Sequence, residues 1–161
     1  MTISVRPIGA ADLPVVTRVL TGSWGGTTIM ALGRGELIDA ATLPGFLAYD
    51  GDEVAGAVTY AGRDGFVEVV TIDALVPGRG VGTLLLDAVR DAAVALGAPV
   101  LRLTTTNDNT GALRFYQRYG FDLIALHRHG VDRARNLKPD IPAESDGIPI
   151  RHELELEYRI S

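Results

Sequence analysis

FVEVVTIDALVPGRGVGTLLL, residues 66–86, runs a β-branched strand straight into a glycine-rich turn and out into a helix. A junction of this kind gathers unpaired backbone amides at the positive end of a helix dipole, which is where a phosphate or pyrophosphate binds. Gly78, Gly80 and Gly82 let the backbone approach an anion closely, and Arg79 adds a countercharge. Leu75, Val76, Val81 and Thr83 complete the candidate cofactor-binding turn. Two nucleotide readings fail on spacing. A Walker A loop needs Gly-Lys-Ser/Thr, but the helix opens Val81-Gly82-Thr83, and the dinucleotide fingerprint needs glycine at Thr83 or Leu85. A glycine-rich turn with only a structural role stays open on this segment alone.

Working outward, apolar runs at 45–49, 54–60 and 66–75 are separated by Asp50-Gly51 and Asp64-Gly65, which predicts a three-stranded antiparallel meander. After the turn, Val81, Leu85, Ala88, Ala92 and Leu96 recur at helical spacing with Asp87, Arg90 and Asp91 opposite, and Gly97 closes the helix. VLRLTTT (100–106) reads as a strand, Asn109 as the cap of a short helix ending at Gly120, and 121–128 as another strand. A connection rich in proline and charge leads to 150–160, where Leu154, Leu156, Tyr158 and Ile160 alternate with Glu153, Glu155, Glu157 and Arg159. That alternation predicts a strand buried on one face, with the glutamates solvated. Upstream, 3–8 reads as a strand, and Asp12 as the cap of a helix to Leu20. TGSWGGTTIMALGRGELIDAATL (21–43) reads as loop and broken helix, a lining for a variable pocket.

At 161 residues the chain suits one domain, 1–161, large enough to sustain a core. Cysteine is absent, which excludes disulfides, thiolate metal clusters and a cysteinyl intermediate. The formal charge of -5 offers no basic footprint, so no nucleic-acid partner is expected. MTISVRPIGAADL lacks the order of a signal peptide, and no apolar run approaches membrane-spanning length. A cytoplasmic location without a membrane partner is the expectation.

PGRGVGTLLL followed by NTGALRFYQRYGF resembles the acetyl-CoA-binding region of the GNAT superfamily of N-acetyltransferases, whose signature is [RQ]-x-x-G-x-[GA] followed by Asn-x-x-Ala-x-x-x-Tyr. Asn109, Ala112, Tyr116, Gly120 and Phe121 match the second part; Gly80 and Gly82 match the first. Pro77 stands where Arg or Gln is usual, which leaves the amide cradle intact and bears on how the pyrophosphate charge is neutralised. The order of strands and helices also follows the family, and the likeness is strongest from about Phe46 to Arg128. More narrowly, VVTIDALVPGRGVGTLL, LTTTNDN and DGIPIRHELELEY look like a group of small bacterial members.

The resemblance implies an α/β (α+β) fold with a mixed, mostly antiparallel sheet of about seven strands and about four helices. It implies acetyl-CoA as co-substrate and direct acetyl transfer to an amine acceptor, a small molecule or a peptide, in a ternary complex; a homodimer is left open. Such chemistry needs a neutral amine, oxyanion stabilisation and a proton for the leaving thiolate. Tyr116 matches the family tyrosine that donates that proton, although it also sits beside an Ala112, Phe115, Tyr119 packing stripe. Glu68 matches a strand position often used as base, with Asp73 the second candidate; on a regular strand the two point to opposite faces unless a bulge intervenes. Backbone amides around 72–75 can polarise the thioester carbonyl. Asn109 can cap its helix or contact cofactor, and Trp24 and Asp73 are the candidate substrate-pocket residues. His127 and His129 lack the companions of a metal site, so no metal is expected. A catalytically silent acyl-CoA-binding module is the competing reading.

Overall fold

The computed structural model describes residues 2–160. In chain order the elements are β1 (Ile3–Pro7), α1 (Leu13–Ser23), β2 (Ile29–Leu32), β3 (Glu36–Asp39), β4 (Gly45–Asp50), β5 (Glu53–Arg63), β6 (Phe66–Ala74) and α2 (Val81–Ala95). There follow β7 (Val100–Thr106), α3 (Thr110–Tyr119), β8 (Asp122–His127), α4 (Gly130–Ala134), β9 (Glu144–Ser145), β10 (Ile148–Pro149) and β11 (Glu153–Arg159). They fall into two compact units that interleave along the sequence, the first running to Ile29 and taking in Asp39–Leu101 with Ile160, the second taking in Met30–Ile38 and Arg102–Arg159. Among the described residues the units hold four α-helices and eleven strands, of which four form two short pairs, β2–β3 and β9–β10, and the other seven give the expected mixed α/β, mostly antiparallel sheet composition.

In the first unit β1, β4, β5 and β6 pair in that order, each neighbour antiparallel. The meander expected at 45–75 is therefore present, with both Asp-Gly turns at left-handed glycines, Gly51 and Gly65. α2 packs through Val81, Leu85, Leu86, Val89 and Ala93. This stripe is rotated from the one expected, and Leu96 is exposed. Leu20, Leu47, Val58, Leu85 and Val89 are fully buried, each contributing about 1.5–3 kcal/mol through removal from water. Gly56 explains how closely α2 lies against the sheet. A β-carbon there would come 2.5 Å from the Asp73 carbonyl oxygen and 2.7 Å from Val81 Cγ1, distances that no side chain can occupy.

Asp12 does precede α1, but its carboxylate does not accept from that helix. It instead receives both terminal nitrogens of Arg6 at 2.8 and 3.0 Å and the Gly9 amide at 2.7 Å. A bidentate guanidinium outcompetes an exposed helix amide, and the arginine bond, followed by the Gly9 amide, holds the Asp12 carboxyl below the usual aspartate range.

The second unit pairs β7, β11 and β8 in that order, with β8 antiparallel to β11. The segment read as loop and broken helix holds a hairpin instead, β2 and β3 closing through the Gly35 amide to the Leu32 carbonyl. Four residues are enough for each strand, too few for alternation to register in the sequence. The proline-rich connection likewise contains α4 and the β9–β10 pair. β11 departs from the solvated-glutamate expectation at Glu153, which is 6% exposed and accepts from the Gly33 amide at 3.1 and 3.3 Å, one distance to each carboxylate oxygen. Phe115, Tyr116, Tyr119, Phe121 and Tyr158 form an aromatic cluster with ring centroids 5.2–5.9 Å apart.

Candidate active site

The glycine-rich turn has the backbone that the sequence requires. Gly78 and Gly80 adopt φ values of 72° and 71°, a left-handed conformation that side chains rarely tolerate. Gly80 is the N-cap of α2, and a glycine cap has no side chain to satisfy the first-turn amides. Open space surrounds the positions where β-carbons of Gly78 and Gly80 would stand. Gly80, Val81, Gly82 and Thr83 thus present amides at the positive end of α2, a cradle that fits the pyrophosphate of a CoA thioester. Arg79 reaches Asp50 at 3.1 Å, so part of its charge is already answered within the protein. The amide of Leu75 donates to the Ala55 carbonyl at 2.8 Å, which removes it from the donors available to a thioester oxygen.

β6 brings the two candidate carboxylates to one face. Its pairing with β5 shifts register: Thr59 lies opposite Thr71, and Tyr60 opposite Val69, leaving Val70 as an inserted residue. Asp73 opposes Ala57, and Glu68 opposes Ala61. Because Ala57, Thr59 and Ala61 share a face of β5, so do Asp73, Thr71 and Glu68. Between the two acids the Thr59 and Thr71 hydroxyls are hydrogen-bonded at 2.6 Å, fully buried. A regular strand would have divided this set.

The two carboxylates have different surroundings. Glu68 is buried and meets Arg63 Nε and Nη2 at 3.0 and 2.9 Å through the same oxygen. Asp73 meets neutral donors only among its described bonds: Trp24 Nε1 donates to it at 3.3 Å, and the Ser23 side chain also bonds to it. Burial raises the Asp73 carboxyl above the usual aspartate range, and those two hydrogen bonds offset only part of the rise. Trp24 and Ser23 arrive from the end of α1, where Trp24 is the C-cap, so this helix terminus and the C-terminal end of β6 build one corner.

In the second unit, Asn109 caps α3 by accepting from the Ala112 amide at 3.3 Å. Tyr116 is the most enclosed residue of α3, 8% exposed and flanked by Phe115 and Phe121. The stripe of Phe115 and Tyr119, expected to be the packed one, is less enclosed. Among the described residues no group of three or more His, Asp or Glu side chains could hold a metal, and no helix is long and apolar enough to cross a membrane.

Residues 26–121 match the family model of the acetyltransferase (GNAT) family, and the chain belongs to that family. It is 35% identical to the uncharacterized protein YdhI of Bacillus subtilis (strain 168) over 144 residues, covering 87% of this chain and 88% of that one. Its fold is similar to that of IAA acetyltransferase from Bacillus cereus ATCC 14579, with a TM-score of 0.74 and 19% identity over 98% of this chain and 99% of the other. A GNAT family acetyltransferase from Elizabethkingia anophelis, solved with acetyl-CoA bound, has a TM-score of 0.69 and 20% identity over 98% and 97% of the two chains.

Proposed function

We propose that this protein is an acetyl-CoA-dependent N-acetyltransferase that moves the acetyl group to an amine by direct attack in a ternary complex. The observation that carries the reading is the pairing, within one strand and the turn it enters, of a half-buried carboxylate, Asp73, with the uncapped amide cradle at Gly78–Thr83. The cradle suits the pyrophosphate of acetyl-CoA, with Leu75 and Val76 on the approach. Family membership and the acetyl-CoA found in the Elizabethkingia anophelis relative support the same co-substrate.

An alkyl ammonium must lose a proton before it can attack, and Asp73 suits that task better than Glu68. The Glu68 carboxylate is already engaged by the Arg63 guanidinium, whereas burial raises the Asp73 carboxyl and makes it the stronger proton acceptor for an aspartate. The role of base, which the resemblance assigns to Glu68, therefore passes to Asp73, and Glu68 with Arg63 braces the strand. Asp73 accepts the ammonium proton, directly or through one water. The freed nitrogen attacks the thioester carbonyl, the tetrahedral intermediate collapses with cleavage of its C–S bond, and the thiolate takes a proton. Tyr116 supplies that proton in the role its match to the family motif implies. Trp24 adds an aromatic face beside Asp73, a combination that suits a cationic small molecule or a peptide amine as acceptor.

Release of free CoA thiol from acetyl-CoA, measured across polyamines, aminoglycosides, amino acids and N-terminal peptides against a no-amine blank, tests the proposal. Amine-dependent release is expected. A flat response with calorimetric acetyl-CoA binding retained would replace the enzyme with a silent acyl-CoA-binding module.

A further inference from the structure

Asp50, the last residue of β4, is a fixed point of the first unit. Its backbone pairs with Ile3 of β1 on one side and with Glu53 of β5, across the Asp50-Gly51 turn, on the other. Its two carboxylate oxygens differ. Arg79 Nη1 donates to Oδ2 at 3.1 Å from 29 positions away, while Oδ1 is buried without a hydrogen-bond partner. Burying an oxygen unpaired is unfavourable, so the pose of this side chain is held by its contact through Oδ2. Arg79 belongs to a segment with little to hold its own shape. Residues 77–80 are exposed, and Gly78 and Gly80, on either side of Arg79, both adopt left-handed angles. A glycine leaves such an angle at little steric cost, and rotation at either one re-aims the amides between them. The ends of the segment are secured by the Leu75 amide on the Ala55 carbonyl and the Leu84 amide on the Gly80 carbonyl, at 2.8 and 3.1 Å. Pro77 fixes one more torsion. The middle is tied to the sheet through the side chain of Arg79.

We propose that the ion pair of Asp50 and Arg79 is a clamp that preorganises the glycine-rich turn for acetyl-CoA, with Asp50 the positioning residue that acts through Arg79. The inference rests on the reading of that turn as the acetyl-CoA cradle. It gives Arg79 a task different from that of a countercharge, and the two tasks predict opposite signs. If Arg79 served the pyrophosphate directly, Asp50 would compete with the ligand for the guanidinium, and removing the acid would tighten binding. If the pair holds the turn in its binding shape, the turn is ordered before the ligand arrives, and removing either partner weakens binding. The observations favour the clamp. The carboxylate stands on a residue paired to strands on both sides, and one of its oxygens is sealed from water, so it fastens the exposed turn to the sheet.

Calorimetry of acetyl-CoA binding to the full chain, to Asp50→Asn, to Arg79→Gln and to the double variant tests the clamp, together with nitrogen relaxation at the Gly78 and Gly80 amides of the free proteins. Each single variant should weaken binding about three- to fivefold, the range of a partly exposed ion pair. The double variant should lose no more than either single one, because both remove the same tie. Order parameters at Gly78 and Gly80 should fall in all three variants, while those of α2 beyond its first turn and the thermal melt stay as in the parent, which a general loss of structure would not allow. Tighter binding by Asp50→Asn overturns the clamp in favour of the countercharge. Additive losses in the double variant overturn it as well, and so do glycine amides as ordered in the variants as in the parent. A parent that binds no acetyl-CoA overturns the cradle and with it the purpose of the clamp, a failure told apart from the others by the unmutated chain alone.

Discussion

The two ends of β6 bear the same functional group in opposite circumstances. At the N-terminal end the Glu68 carboxylate is buried against a guanidinium; at the C-terminal end Asp73 is held by an indole N–H and a serine side chain. A charged donor stabilises the ionised form and fixes its geometry, whereas neutral donors leave the cost of burial largely uncompensated. The comparison teaches that, along one strand face, the identity of the donor sets apart a carboxylate engaged by a cation from one that the proposed mechanism leaves available for proton transfer. On the proposed mechanism, the proton acceptor is the carboxylate held by neutral donors, Asp73.

The largest effect should come from Asp73→Asn, which keeps size and loses the proton acceptor. Its kcat/KM for the best amine should fall by about 10²–10⁴, while the calorimetric affinity for acetyl-CoA stays unchanged; retained turnover breaks the contrast outright. Glu68→Gln should do the reverse. It removes the carboxylate charge opposite Arg63 and should lower stability by about 1–2 kcal/mol, a value reduced from that of a fully buried pair because Arg63 is partly exposed. Turnover per folded molecule should persist, which urea titration and kinetics on the same preparation would establish.

The acid limb of the pH profile sharpens the comparison further. Because the folded state raises the Asp73 carboxyl, kcat/KM should climb with pH through a midpoint above the ordinary aspartate value, and Asp73→Asn should remove that limb. The linked stability runs the other way. A group raised on folding stabilises most when both states are protonated, below its unfolded value, and that contribution disappears as pH rises through the folded value. Asp73→Asn should therefore melt no lower than the parent at neutral pH. The smallest effect is expected from Thr71→Val, which removes one member of the buried hydroxyl pair between the two acids and should cost about 1 kcal/mol by denaturant titration.

What could be read in advance follows from the range over which each signal acts. The backbone of the glycine-rich turn, the Asn109 cap and the meander are encoded by neighbours in the chain, through left-handed glycines, an Asx side chain at a helix start and Asp-Gly turns, and all three are present. The bulge that brings Glu68 and Asp73 together depends on how β6 docks on β5, and no residue type announces it; the sequence could only name it as the condition under which both acids would share a face. Trp24 and Asp73 were each visible as pocket candidates, but their contact spans 49 positions and required the fold. Glu153 was misread because period-2 alternation assigns it to solvent, while its burial is determined by a glycine amide 120 positions away. The helix α4 and the β2–β3 hairpin were missed because elements of four or five residues fall below the length at which periodicity can be detected.

Gly56 carries one more implication, concerning how this protein can change. Its missing methyl is the clearance that lets Val81 settle beside the Asp73 carbonyl, so the helix that opens at the glycine-rich turn is seated by a residue with no side chain to offer a ligand. A search for mutations that retune cofactor affinity would concentrate on residues around the turn. A single added carbon on the neighbouring strand would act on the same helix from a position that functional-group reasoning would pass over.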